Sequence, residues 1–300
     1  MGRASLLLKR MLWAAIGATV AWYVWRNVGQ LREYGHGFDF RFVALSIVFA
    51  MLAYLLNIQV WTRIANHCGA HASWSEHARA WSISRLGRYV PGKVATIYLR
   101  LERYPDTHKI SAGVSLYVEI MSSLIAICVF TVFFSARGAL PVDLVWVALL
   151  GVGLAALAML SSRRFLDFAS NRFPVLRKLR PPSRKGGAGL WMTIIPLQMG
   201  VMVLHGTSLY FAISAISEAP AAAIVEITVY YYFAGLAGML ALFAPAGIGV
   251  REAVLAGLLR TLIPLPAAVV TVALIRLVTV VAELGISAIF YRLAPSRASP

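Results

Sequence analysis

Apolar runs separated by short polar or basic stretches dominate this chain. Runs at 11–25, 42–61, 110–134, 144–160, 191–216, 223–243, 250–262 and 267–290 read as helices. Several reach the ~18 residues needed to cross a ~30 Å hydrocarbon core. Their unbroken apolar character excludes an outer-membrane barrel, whose strands alternate in polarity over ~10 residues. The run at 250–262 is too short for an easy crossing at ~1.5 Å per residue. The segment 77–103 is too polar for an ordinary span. The pattern predicts an all-α polytopic membrane protein of about eight transmembrane helices.

Two stretches interrupt the pattern. At 87–100, "GRYVPGKVATIYLR" places Arg88, Lys93 and Arg100 around Pro91 and Gly92. At 240–255, "LALFAPAGIGVREAVL" carries Pro245, Gly247 and Gly249 ahead of Arg251 and Glu252. Pro and Gly stop a helix and leave backbone amides and carbonyls free, which is tolerated at membrane depth only inside protein or beside a wet cavity. Aligning Pro91 with Pro245 sets Tyr89 opposite Phe243, Leu86 opposite Leu240 and Gly92 opposite Ala246. Each stretch precedes an apolar helix bearing a carboxylate, Glu119 or Glu283. The chain thus divides into two weakly repeated halves, 1–160 and 190–300, joined by a linker at 161–189, all within one membrane domain. Paired interruptions of this kind point to re-entrant or broken helices at a transporter's central site.

Composition changes this picture little. The chain has 300 residues, 60% of them hydrophobic, and a mean hydropathy of +0.74. Its formal net charge of +16 is read as membrane topology, not as a nucleic-acid footprint. The linker holds eight Lys or Arg against Asp167 alone, which assigns it to the cytoplasm. The loop "SEAPAAA" has no cation and belongs outside. The basic N-terminal run is read as a retained first helix, and both termini are expected on the cytoplasmic side of the cell inner membrane. The segment 63–109 then starts and ends on that side, as a re-entrant loop would.

The candidate chemistry is cationic. Arg85, Arg88 and Lys93 stand at or before the start of a helix near Val94, and Arg100 and Arg103 follow. Arginine and lysine beside a helix N-terminus suit a phosphate. The same residues would also serve as snorkelling interface anchors. Arg276 and Glu283 lie seven residues apart in one apolar helix, too far for a direct pair, so each needs a partner from another helix. Glu119, Arg276 and Glu283 are expected to face one polar cavity or to make interhelical bonds. Glu119 and Glu283 are also candidate proton carriers. The Trp and Tyr residues are mostly assigned to interface belts, and "VYYYFAG" to packing. Gly87, Gly92 and Lys93 come near a nucleotide P-loop, but Val94 stands where Ser or Thr would bind magnesium. His67, Cys68, His71 and His77 lack a convincing zinc spacing. No metal, no cofactor and no enzymatic activity are expected, since no base and nucleophile converge.

With these residues in hand, the chain resembles the transmembrane region of lysylphosphatidylglycerol synthases, the flippase-like domain family. "LGRYVPGKVATIYLR", "GVSLYVEIMSSLIA" with Glu119, and "PAGIGVREAVL" followed by "ALIRLVTVVAEL" carry the likeness. The resemblance implies a membrane fold with re-entrant helices that moves lipids or lipid-linked glycans between leaflets. No soluble acyltransferase domain follows in this sequence, so lysine transfer is not expected. The expected function is translocation of an anionic phospholipid or a polyprenyl-phosphate-linked glycan. The alternative is a non-transporting accessory subunit of a lipid synthase or glycosyltransferase. Substrate contacts are expected from Arg85, Arg88, Lys93, Arg100, Glu119, Arg251, Glu252, Arg276 and Glu283.

Overall fold

The computed structural model describes residues 38–90, 94–136, 187–241 and 247–293, scattered positions between 10 and 29, and Gly138, Gly151 and Gly153. Pro91, Gly92, Lys93, Pro245, the linker to residue 186 and nearly all of the run 144–160 lie outside the described residues. The described positions between 10 and 29 are helical. Among the described residues eight further helices follow: α1 (Phe40–His67), α2 (Trp74–Leu86), α3 (Val94–Leu101), α4 (Lys109–Ser135), α5 (Gly187–Ser214), α6 (Ile224–Leu240), α7 (Val250–Leu259) and α8 (Leu265–Leu293). No strand occurs among the described residues.

Among the described residues, five helical segments are long and apolar enough to cross a membrane: α1, α4, Gly189–Ser214 of α5, Ala221–Leu240 including α6, and Leu265–Arg292 of α8. They coincide with five of the runs expected from sequence. The helix expected at 250–262 is shorter, as α7 has ten residues. It therefore covers ~15 Å, about half a hydrocarbon core.

Capping sets several of the boundaries. The Asp39 side chain accepts from the Arg41 amide at 2.9 Å and opens α1. Gly69, at φ 92°, lies just beyond its C-terminal end. Ser73 and Glu76 cap one another's backbone amides and start α2. Small and hydroxyl residues then let helices approach closely. Between α1 and α5, the Ser46 hydroxyl donates to the Ser208 carbonyl at 2.7 Å, and the Ser208 hydroxyl donates back to the Ser46 carbonyl at 2.8 Å.

Two helical hairpins give the fold its character. In the first, α2 leads through the 3-10 turn Gly87–Tyr89 and the chain returns as α3. A Cβ at Gly87 would stand 2.6 Å from the Thr96 amide nitrogen, so glycine permits this close backbone approach. The base of the hairpin is tied to α1. Trp61 Nε1 donates to the Tyr104 hydroxyl at 2.9 Å, and that oxygen lies 2.7 Å from His77 Nδ1. His77 Nε2 is 3.2 Å from Asn66 Oδ1. Burial lowers the His77 imidazole to about 4, so the ring is neutral at neutral pH. A neutral ring that accepts from Tyr104 at Nδ1 donates to Asn66 from Nε2.

In the second hairpin, α6 and α7 run back to back. Gly247, at φ 72°, is so close to α6 that a Cβ would meet Gly238 Cα at 2.7 Å. Further along, the Tyr230 and Thr261 hydroxyls lie 3.3 Å apart. Helix α8 packs against α1, α2, α5 and α7. Its most apolar window is 72% buried, against 33% for α1 and α4, so α8 is the axis around which the bundle forms.

Gly87→Ala should destabilise the detergent-solubilised protein by ~1–3 kcal/mol, because backbone, not a flexible side chain, meets the new methyl group. A thermal melt of the two proteins checks this. The lowered imidazole of His77 adds an acid dependence. Unfolded histidine titrates near ~6.5, so below that pH the unfolded chain binds more protons. The stability that His77 contributes should be complete above pH ~6.5 and decline as pH falls toward about 4. His77→Gln should flatten that part of the melting-point profile.

Candidate functional site

Both hairpins reach α8, and three buried ion-pair systems form around them among the described residues. The first surrounds Glu283, which is 2% exposed. The Tyr54 hydroxyl of α1 donates to Glu283 Oε1 at 3.1 Å, and the Tyr89 hydroxyl donates to Oε2 at 2.9 Å. Arg88 Nη1 stands 2.9 Å from Oε1 and Arg85 Nε 3.5 Å from the same oxygen. Two guanidinium groups and two phenols from α1, α2 and the 3-10 turn thus converge on one carboxylate.

The second system joins α3 to α4. Arg100, 2% exposed, donates through Nη1 to Glu119 Oε2 at 2.6 Å and through Nε to the Ser84 hydroxyl at 2.8 Å. Trp81 Nε1 donates to Glu119 Oε1 at 2.8 Å. The third joins α7 to α8, with Arg276 Nε 2.7 Å from Glu252 Oε1. Glu252 Oε2 also accepts from the Gly249 amide, capping α7 where Gly249 takes φ 89°. A carboxylate in the first turn also complements the positive end of the helix.

Arg251 is treated differently. Its guanidinium lies over the Tyr231 ring at 4.6 Å, and its Nε has no hydrogen-bond partner among the described residues. Tyr231 stacks on His205 with centroids 5.4 Å apart, and His205 meets the Tyr54 ring edge-on at 5.5 Å. This chain of rings links Arg251 to the Glu283 cluster, and Arg88 and Arg251 oppose one another electrostatically. Arg88 likewise leaves Nε without a hydrogen-bond partner among the described residues, whereas Arg85 Nε faces Glu283 at 3.5 Å. Among the described residues, Arg85 and Arg88 thus face Glu283 directly, and Arg251 is linked to them through this chain of rings.

The expectation that Arg276 and Glu283 each need a partner from another helix holds. Glu119, however, belongs to its own pair with Arg100, and Trp81 stands between that pair and the Glu283 cluster. The Trp81 ring lies 5.2 Å from the Arg85 guanidinium and 5.8 Å from that of Arg100. Among the described residues no group of three His, Cys, Asp or Glu side chains could hold a metal ion.

Four aromatic residues depart from the interface-belt assignment. Trp61, Trp81, Tyr54 and Tyr89 are at most 2% exposed and line the charged centre. Arg100 sits over Trp61 at 4.4 Å, Arg85 over Tyr54 at 5.7 Å and Arg88 over Tyr89 at 5.2 Å. Cation–π contacts of this kind gain strength when desolvated, reaching ~2 kcal/mol. Composition alone gave no sign of Tyr54 or His205. Trp81 and Tyr89 were signalled only by sharing a segment with Arg85 and Arg88.

The motif residues that meet here belong to one matched region. The family model described as the lysylphosphatidylglycerol synthase TM region matches residues 11–286. The chain belongs to this family. No curated protein matches it. The three ion-pair systems described above fall inside the matched span.

The pairs differ in how they can be tested. Arg100 and Glu119 form a closed unit with Ser84 and Trp81, and it makes a structural strut. Glu119→Gln should cost ~3–5 kcal/mol, because a buried guanidinium loses its counter-charge. The double variant Arg100→Met with Glu119→Leu should recover most of that loss. Melting points of the wild type, single and double variants give the comparison, and a double variant no better than the single would refute the strut.

Proposed function

We propose that this membrane protein moves a phosphate-bearing lipid between the leaflets of the cell inner membrane. The substrate class is an anionic phospholipid or a polyprenyl-phosphate-linked glycan, and no covalent chemistry is involved. The observation that carries this reading is the excess of arginine at the hairpin tips. Arg85 and Arg88 face one central carboxylate, Glu283, Arg251 is linked to them through stacked rings, and Arg88 and Arg251 each retain an Nε without a hydrogen-bond partner among the described residues. Unbalanced charge in a membrane interior costs ~2.5–3.5 kcal/mol per residue even on insertion scales, so a surplus of this kind marks an anion path. Arginine suits phosphate because its planar fork gives two parallel donors.

In this reading both hairpins are re-entrant. The α2–α3 hairpin enters from the cytoplasmic side and the α6–α7 hairpin from the opposite side. Their tips meet at α8, where Arg276 and Glu283 lie within the span. Counting α6 and α7 as two limbs of one re-entrant unit retains the charge-based topology, with both termini cytoplasmic. Broken helices from two halves meeting at a midplane site are a recurring feature of secondary transporters.

Lipid movement in proteoliposomes tests the reading. Wild-type protein should carry fluorescent phosphatidylglycerol to the outer leaflet faster than protein-free vesicles do. Arg88→Gln with Arg251→Gln should insert normally and lose transport by at least about tenfold, the value of one charge-assisted hydrogen bond. Glu252→Gln should also insert and lose transport, because Arg276 loses its counter-charge. Neutralising Arg177, Lys178 and Arg180 in the linker should leave transport unchanged. A stable wild-type protein that moves no lipid would leave the accessory-subunit reading in its place.

A further inference from the structure

We propose that Glu283 is a resident counter-anion, standing where the ligand's phosphate binds and exchanged for it during each binding event. This rests on the reading above and adds how the site is held when empty. The ligand chemistry is a phosphate oxyanion, supplied by a lipid head group or by a soluble phosphate.

Three observations lead to this exchange. First, the Glu283 carboxylate is held as a bound oxyanion would be. Tyr54 and Tyr89 donate to its two oxygens at 3.1 and 2.9 Å, and Arg88 and Arg85 face Oε1 at 2.9 and 3.5 Å. Second, the donors outnumber what a carboxylate can use. Arg88 and Arg251 each keep a buried Nε with no hydrogen-bond partner among the described residues. A phosphate offers more acceptor oxygens in a tetrahedral arrangement, which reaches donors that a planar carboxylate misses.

Third, the cations are held independently of Glu283. Arg85 lies over the rings of Tyr54 and Trp81 at 5.7 and 5.2 Å, Arg88 over Tyr89 at 5.2 Å and Arg251 over Tyr231 at 4.6 Å. The site therefore stays assembled when the carboxylate leaves. The neighbouring Arg276–Glu252 pair does not share this design, because Glu252 also caps α7 at Gly249. Glu283 is thus the exchangeable carboxylate and Glu252 the fixed one.

The test uses the full chain in detergent micelles with two probes, inorganic phosphate and dioctanoyl phosphatidylglycerol. Glu283→Gln removes the competing charge and keeps the shape. Without a probe its melting point should fall below that of the wild type. A probe should restore it, and the variant should bind that probe at least about tenfold more tightly than the wild type, since no charge-assisted bond must first be broken. Restoration by inorganic phosphate identifies a soluble oxyanion as sufficient. Restoration by phosphatidylglycerol alone identifies the lipid head group. Glu283→Asp keeps the charge but withdraws it by about 1.5 Å, one carbon–carbon bond. It should tighten binding severalfold, and it decides the matter if Glu283→Gln does not fold.

Binding that weakens or stays the same in both Glu283 variants would overturn the exchange. If wild-type binding is then still lost in Arg88→Gln, Glu283 is a structural latch and the lipid-transport reading stands. If the wild type binds neither probe and moves no lipid, both proposals fall together.

Discussion

A carboxylate buried within a membrane-spanning helix has to be surrounded by charge and hydrogen-bond donors, and the rest of this structure is arranged around that requirement. Glu283 lies ~15 Å from the C-terminal end of α8, well inside a segment long and apolar enough to cross a membrane. Leaving it unpaired would cost several kcal/mol. Arg88, Arg85, Tyr89 and Tyr54 meet that need, and they come from α1 and from the tip of the first hairpin. The hairpin must therefore reach α8, which requires the glycine at position 87 and the tight 3-10 turn after α2.

The second hairpin answers a parallel demand from Arg276. Glu252 reaches it only because α7 begins where it does, and α7 begins there because Gly247 and Gly249 adopt left-handed backbone angles. One helix thus anchors both hairpin tips, through charges of opposite sign seven residues apart. Arg100 and Glu119 brace the base of the first hairpin against α4 in the same way. Aromatic rings cover the guanidinium groups of Arg85, Arg88, Arg100 and Arg251, lowering the cost of taking cations out of water.

Much of this could be read from residue order. Five spans, the two interrupted stretches and the need of Arg276 and Glu283 for partners on other helices all follow from apolar periodicity and the cost of intramembrane charge. The aromatic lining did not follow. Trp61, Trp81, Tyr54 and Tyr89 have the same composition signature as interface-belt residues, and only their neighbours in space distinguish the two roles. Grouping Glu119 with Glu283 failed for a related reason. Both are lone acidic residues in apolar helices, and nothing local reveals that Trp81 separates them.

Residue order alone is enough to read a helical membrane protein with two interrupted stretches and a few charges that need partners, because helix period, span length and charge cost are local properties. The tertiary structure decided which charge meets which. Arg88 is paired with a carboxylate 195 positions away, Arg100 with one 19 away and Arg276 with one 24 away. Such partnerships depend on how helices cross and how closely glycine and serine let their backbones approach. Those distances are set by packing between segments, which no single segment encodes.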